Sequence, residues 1–376
     1  MPPLPVARFE NDLPEIIRLL RRLVEQESPT TEKSAVDALG ELIAGEMRAL
    51  GAEVQQYPQT EAGDHWLGDW GEGTGGLLLL AHMDTVYSLG TLEAMPWREE
   101  AGFLYGPGVL DMKAGIAIAL TAIRHLRASG RMPTTRISLL CTSDEETGSH
   151  TSRALIESLA AGRSLVLCLE PALPDGSLKT WRKGTLDFRL EARGVSAHAG
   201  ADPDRGVNAI AEMAHQIPLI LKQAAPGLGT TLNPGVIRGG TRTNVIPERC
   251  TLLVDGRAKT VAEGERLIRS LKALKPILPG AELKVEAAWN RPPMERTPQI
   301  VTSYEKAKAL AASLGLSLGE GGTGGASDAN FVAPLGVPVL DGLGGVGEGP
   351  HSPGERVLAR SLAERTALLA ALLTEG

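Results

Sequence analysis

Only three cysteines, Cys141, Cys168 and Cys250, occur in the chain, and no two of them form a Cys-x-x-Cys pair. That scarcity excludes a disulfide framework and a thiolate zinc site, and it fits a reducing cytoplasm. A basic excess is also missing: the formal net charge is −7, and the basic residues are scattered, with Arg21-Arg22 the kind of pair expected on a solvated helix face. Both points argue against a nucleic-acid partner. No apolar stretch is long enough to span a membrane, and the opening Met1-Pro2-Pro3-Leu4-Pro5 leads into a segment with charges throughout, so neither a membrane anchor nor a signal peptide is expected. There are no internal repeats or low-complexity linkers. What is present is an acidic chain of 376 residues with 43% hydrophobic content, enough for more than one sizeable core, and two domains are the natural expectation.

The most informative string is Leu77-Leu78-Leu79-Leu80-Ala81-His82-Met83-Asp84-Thr85, preceded by Gly71, Gly73, Gly75 and Gly76. A four-leucine run bounded by glycines suits a strand buried on both faces of a parallel sheet, whose carboxyl end commonly carries ligands. His82 and Asp84, two apart, share one strand face, so His82 can bind a metal through one ring nitrogen while Asp84 accepts from the other. Four further strings offer comparable groups. Asp111 stands in the glycine-rich turn Tyr105-Gly106-Pro107-Gly108-Val109-Leu110-Asp111-Met112-Lys113-Ala114-Gly115, just before an apolar helix over 116–126, and is the candidate bridging ligand. A strand over 136–141 runs into Asp144-Glu145-Glu146, a strand over 165–169 runs into Glu170-Pro171, and His351 lies in the tight loop Gly349-Pro350-His351-Ser352-Pro353. Three apolar strands of one parallel sheet would bring His82, Glu145-Glu146 and Glu170 to a single edge. Two histidines and three carboxylates satisfy a pair of divalent ions, and the mixture of imidazole and carboxylate favours Zn2+ over the all-oxygen sites that suit Ca2+ or Mg2+. Set against two divalent cations, the three acids Asp111, Glu146 and Glu170 leave one net positive charge, which favours a developing oxyanion.

The order of elements places a second domain inside the first. Leu13, Ile16, Ile17, Leu20 and Val24 recur at helical spacing, another helix is expected over 34–50, and strands and helices then alternate to Glu170. From about residue 183 the pattern reads strand 186–192, helix 207–221, strand 231–238, strand 250–257, helix 262–274 and strand 281–288, a ferredoxin-like βαββαβ repeat. After Pro292-Pro293 come a helix over 299–314, a strand over 337–340 and a terminal helix over 355–373. The expected fold is therefore α/β: a catalytic domain (1–182 and 294–376) with a mixed, largely parallel sheet flanked by helices, and an inserted α+β domain (183–293).

The residues His82 in His-Met-Asp-Thr, Asp111 in Gly-Val-Leu-Asp-Met-Lys-Ala-Gly, Asp144-Glu145-Glu146, Glu170 before proline and the late His351 follow the order seen in the M20 family of co-catalytic zinc peptidases and deacylases. Over nearly its full length the chain resembles that family, particularly its glutamate carboxypeptidase branch. The resemblance implies two Zn2+ per subunit, with Co2+ or Mn2+ as possible substitutes. One ion would be held by His82, Asp111 and Glu170 and the other by Asp111, Glu146 and His351, with a cis bond after the bridging aspartate. Glu145, next to ligand Glu146, would stay unligated as the general acid/base, and Asp84 would orient His82. Retention of Glu145 beside five ligands favours an enzyme over a non-catalytic peptide-binding relative.

The resemblance also makes His198, in Gly194-Val195-Ser196-Ala197-His198-Ala199-Gly200, a donor to the tetrahedral oxyanion, supplied across a homodimer interface formed by the inserted domain. His65, His125, His150 and His215 have no comparable setting and are read as surface or helix residues. Substrate choice points to Arg242, Asn244 and Arg257. The fork of Arg257, in Val254-Asp255-Gly256-Arg257, suits a terminal carboxylate, and Asn244 resembles the asparagine that binds substrate or polarises its carbonyl. Gly256 departs from the β-branched residue usual there. The string Gly321-Gly322-Thr323-Gly324-Gly325-Ala326-Ser327-Asp328 lacks the Gly-Lys-Ser/Thr ending of a phosphate loop. By the resemblance it is a substrate loop, with Gly324 and Gly325 amides facing the leaving amino acid's carboxylate. The expected activity is release of a carboxyl-terminal amino acid, glutamate first among candidates, from small peptidyl or N-acyl substrates. The alternative is N-acyl-amino-acid deacylation.

Overall fold

The strand Leu77–His82 is buried at every position and forms the axis of the first of two units in the computed structural model, which describes residues 2–375. It lies between Ile137–Thr142 and Leu165–Cys168 and runs parallel to both. Val339–Leu340 extends the parallel side. His65–Trp70 and then Glu53–Tyr57 extend the other side in antiparallel fashion, making a six-stranded mixed sheet. Each fully buried leucine of Leu77–Leu80 contributes about 1.5–3 kcal/mol of transfer free energy, so this strand can sit only at the centre. Register follows from that placement: His82 pairs with Thr142 and Leu80 with Cys168, so the segments after all three strands leave from one edge.

Helices cover this sheet for equally plain reasons. Leu13–Glu25 buries Ile16, Leu19, Leu20, Leu23 and Val24 as a stripe, whereas Ala114–Ala128 is buried on nearly every side and packs against Ala359–Glu375. Gly115 allows a close approach, because a Cβ there would stand 2.1 Å from the Leu169 carbonyl oxygen. Only glycine lets the first turn of that helix rest on the backbone that carries Glu170. A small antiparallel sheet of Gly347–Glu348, Arg356–Leu358, Phe103–Tyr105 and Arg98–Glu100 lies in the same unit. The terminal helix starts later than its periodicity suggests: Arg356–Leu358 is a strand, helix begins at Ala359, and Glu355 is a buried loop residue.

The second unit comprises Arg182–Glu295 and Gly324–Ala326. Its sheet has the order Thr231–Gly239, Arg249–Ala258, Gly184–Arg193, Glu282–Arg291, antiparallel throughout, with Ala209–Leu221 and Val261–Lys272 as its helices. This is the ferredoxin-like arrangement. Asn208 caps the first helix at Ile210 N and Ala211 N, and Thr260 caps the second at Glu263 N. Leu186, Phe188, Leu190, Leu252 and Val254 alternate into the core beneath the helices. Gly256 leaves the strand path intact, pairing with Leu186 and Leu232. A Cβ at Gly256 would lie 2.7 Å from Phe188 Cε2, so the phenyl ring occupies the space a β-branched residue would take.

Candidate metal centre

Five side chains from five segments of the first unit meet at the strand edge. His82 ends the central strand; Asp111 lies in the turn Val109–Lys113, where the Asp111–Met112 peptide is cis; Glu146 lies in the short helical turn Glu145–Thr147 after Ile137–Thr142. Glu170 follows Leu165–Cys168, and His351 occupies the loop between Gly347–Glu348 and Arg356–Leu358. The two carboxylate oxygens of Asp111 face different imidazoles. Oδ1 is 3.3 Å from His82 Nε2, and Oδ2 is 3.3 Å from His351 Nε2. Glu170 Oε1 is 3.6 Å from His82 Nε2, and Glu146 Oε1 is 3.2 Å from His351 Nε2. Donor atoms of His82, Asp111 and Glu146 also lie within 4.8 Å of one another, so the five groups form one cluster with Asp111 in the middle.

Asp84 holds the parts in place. Its carboxylate accepts from Thr30 Oγ1 at 2.8 Å, from Glu146 N at 3.1 Å and from Glu145 N at 3.3 Å, joining the His82 segment to the acidic turn. The expected bond from His82 Nδ1 to the Asp84 carboxylate measures 3.4 Å; the nearer acceptor is the backbone carbonyl of Asp84, at 3.0 Å. Either contact accepts the Nδ1 proton, so Nε2, which faces Asp111 and Glu170, is the nitrogen left to ligate a metal once its own proton is displaced.

Electrostatics point the same way. The hydrogen bond to Asp111, and then that to Glu146, push His351 up to about 10. Burial opposes charge on His82, yet hydrogen bonds to Asp111 and Asp84 hold it well above the ordinary imidazole range. Burial likewise opposes charge on Asp111, and its contacts with His351 and His82 overcome that and keep it ionised. Carboxylates that raise the proton affinity of both imidazoles make a site that favours positive charge. Divalent ions meet that demand while releasing the imidazole protons, and a mixed nitrogen and oxygen donor set of this composition fits zinc-like ions.

The remaining predicted residues belong to the second unit: His198, Arg242, Asn244, Arg257, Gly324 and Gly325. His198 is exposed, and its Nδ1 accepts from Gly200 N at 3.2 Å and Ala201 N at 3.0 Å. Nε2 therefore carries the proton of the neutral ring and is a donor. Asn244 lies beside it, its carbonyl accepting from Ala199 N at 3.0 Å. Arg257 is half-buried on its strand, with Nε bonded to Asp255 Oδ1 at 2.8 Å. Gly324 and Gly325 are exposed, and the buried Arg182 donates to the carbonyls of Gly325 and Ala326.

Several supporting residues escape sequence reasoning. His65 is not a surface or helix residue: it is fully buried on the strand His65–Trp70, with Nδ1 3.0 Å from Ser143 Oγ and Nε2 3.1 Å from Thr151 Oγ1. Asp144, first of the three acids, is buried and accepts from Thr151 N at 2.6 Å and Thr151 Oγ1 at 2.8 Å, so it folds the turn that presents Glu145 and Glu146. Asp328, at the end of the glycine-rich string, accepts from Ser149 Oγ and Thr142 Oγ1 beneath the same turn. Glu355 is the other omission; an acid four residues past His351 in a glycine and proline loop is the signal that could have found it.

Residues 78–375 match the family described as Peptidase family M20/M25/M40. Carboxypeptidase G2 of Pseudomonas sp. (strain RS-16) is 32% identical over 370 residues, covering 96% of this chain and 89% of that protein. Acetylornithine deacetylase of Proteus mirabilis (strain HI4320) is 33% identical over 302 residues, 73% of this chain and 76% of that protein. Among solved structures, the aminopeptidase PepT of Bacillus cereus superimposes with a TM-score of 0.80 at 23% identity, over 96% of this chain and 98% of that one. A metallo-carboxypeptidase of Sulfolobus solfataricus gives 0.73 at 16% identity, over 96% and 98%. Likeness at those identities shows a shared fold.

Proposed function

The chain belongs to Peptidase family M20/M25/M40 and is a metallo-hydrolase, and from that premise we propose that it is a dizinc amidohydrolase releasing a carboxyl-terminal amino acid, glutamate first among candidates, from peptidyl or N-acyl substrates. The observation that carries the two-ion reading is Asp111, whose oxygens each face a different histidine at 3.3 Å. His82, Asp111 and Glu170 would hold one ion and Asp111, Glu146 and His351 the other, with Co2+ or Mn2+ as possible substitutes. Such a pair supplies Lewis acidity and a water of lowered pKa. The chain's own residues then divide the remaining work. Glu145 takes the water's proton and delivers it to the leaving nitrogen, Asp84 keeps the His82 ring oriented, and His198 donates from Nε2 to the developing oxyanion. Asn244 binds near the substrate carbonyl, while Arg257 and the amides of Gly324 and Gly325 receive the carboxylate of the departing amino acid.

The same reading makes the enzyme a cytoplasmic homodimer joined through the inserted domain. The edge strand Thr231–Gly239, with Val236 and Ile237 exposed, supports association there. Free, buried cysteines suit a reducing compartment, and no helix among the described residues is long and apolar enough to cross a membrane.

The test is mass-spectrometric detection of free amino acids from a panel of dipeptides and acyl-amino acids treated with zinc-loaded enzyme. Preferential release of carboxyl-terminal glutamate is expected. The identity to an acetylornithine deacetylase favours one second reading, an N-acyl-amino-acid deacylase. Release from short acyl groups alone, indifferent to the amino acid, would replace the first reading with that one.

Arg257→Ala separates carboxylate recognition from chemistry. Loss of a charged bidentate contact costs about 1.5–3 kcal/mol, so kcat/KM on a free-carboxylate substrate should fall by roughly ten- to a hundredfold, and on the matching carboxamide by much less. Equal losses on the two substrates would remove Arg257 from this role.

A further inference from the structure

We infer that Glu355, with Tyr87, is a positioning residue that clamps the Asp111 turn to the His351 loop and so sets the spacing of one of the two ion sites; the inference rests on the two-ion reading above. Glu355 is fully buried, and its two oxygens receive four donors. Oε1 accepts from Leu110 N at 2.8 Å and Asp111 N at 2.9 Å. Oε2 accepts from Gly108 N at 3.1 Å and the Tyr87 hydroxyl at 2.6 Å. That hydroxyl also stands 3.0 Å from the carbonyl of Ser352, the residue after His351. Glu355 belongs to the His351 loop itself, since its N–H donates to Ser352 O and Ser352 N donates to Gly349 O. One carboxylate thus ties the backbone that carries the central aspartate to the loop that carries its second histidine.

The chemistry of the clamp is specific. Four donors on two oxygens require a group that only accepts, and a carboxylate is the only neutral-pH side chain with that capacity in so small a space. A glutamine would turn its NH2 toward two of the donors. The gripped turn needs glycine at its start: Gly108 has φ 71°, and a Cβ there would meet Thr85 Cγ2 at 2.6 Å. His351 needs such support, because it is half exposed and itself adopts φ 60°. His82 does not need it; a buried central strand and Asp84 place that ring. Loosening the clamp should therefore disturb the site of His351, Asp111 and Glu146 more than the site of His82, Asp111 and Glu170.

Calorimetric titration of the chelator-stripped full chain with zinc chloride tests this, with His351→Ala marking which binding step belongs to the His351 side. The wild-type chain should take up two ions. Glu355→Gln should keep the His82-side affinity and lose about 10–100-fold on the His351 side, the scale of residues that support a metal ligand. Tyr87→Phe should lose less on that same side. If Glu355→Gln does not fold, Tyr87→Phe decides: unchanged affinity on the His351 side overturns the clamp. Unchanged affinities in a folded Glu355→Gln chain, or equal weakening of both steps, overturn it too. A wild-type chain that binds one ion only sinks the two-ion reading and takes the clamp with it.

Discussion

Replacing Glu145 with alanine is expected to lower kcat by at least a hundredfold while leaving metal content unchanged. The reason is geometric. Glu145 and Glu146 are consecutive in the turn Glu145–Thr147, which has three residues per turn, so their side chains leave the backbone about 120° apart. Glu146 is the one whose Oε1 lies 3.2 Å from His351 Nε2. The proposed mechanism leaves its neighbour Glu145 outside that ligand set, and both N–H groups are held by the one Asp84 carboxylate. In the proposed mechanism the buried Glu145 moves protons beside the ions that Glu146 helps to hold, and positioned proton transfer contributes about 10²–10⁴-fold. Glu145→Gln should match the alanine variant, since an amide keeps the shape but cannot take a proton. Metal content by plasma mass spectrometry and kcat on one hydrolysed substrate decide the matter. Near-normal turnover removes Glu145 from the role, and parallel loss of metal makes it a ligand instead.

What could be read from the sequence was whatever is local or periodic. Leu77–Leu80 announced a central strand because four consecutive apolar side chains have no solvent-facing option, and that alone fixed the edge at which His82 emerges. The order strand, helix, strand, strand, helix, strand between Gly184 and Arg291 announced a ferredoxin-like sheet because that order is the split repeat itself. His82, Asp111, Glu146, Glu170 and His351 stood out as chemically able residues at strand ends and tight turns, and in space they lie together. Glu355 was hidden for the opposite reason. Its partners are backbone N–H groups about 245 residues away, and backbone donors leave no residue-type signature. Helical periodicity then drew the terminal helix over it. His65 was misread because nothing local distinguishes a histidine satisfied by Ser143 and Thr151 from one on the surface. Sequence spacing names the groups that do chemistry, while the groups that hold them answer to long-range packing.

His198→Ala should lower kcat by about 10²–10³-fold with little change in metal content, the cost of removing one preorganised oxyanion donor, roughly 2.7–4 kcal/mol. The local structure prepares the ring for donation. Two backbone amides fix Nδ1 as an acceptor, so the proton of the neutral imidazole sits on Nε2, and the ring is exposed in the segment next to Asn244. A histidine held this way offers a hydrogen bond without gaining charge, which suits an oxygen whose own charge develops only in the transition state. The proposal that it serves a partner's metal centre has a direct test. In a mixed dimer of His198→Ala and Glu145→Ala chains, donation across the interface gives one centre with both intact groups and one with neither. Random exchange makes about half the dimers mixed, so roughly a quarter of wild-type activity should return from two nearly inactive parents. Donation within one chain predicts no recovery, because every centre would lack one of the two groups. Subunit exchange, followed by native mass spectrometry on chains of different mass, has to be complete before a lack of recovery counts against the partner's histidine.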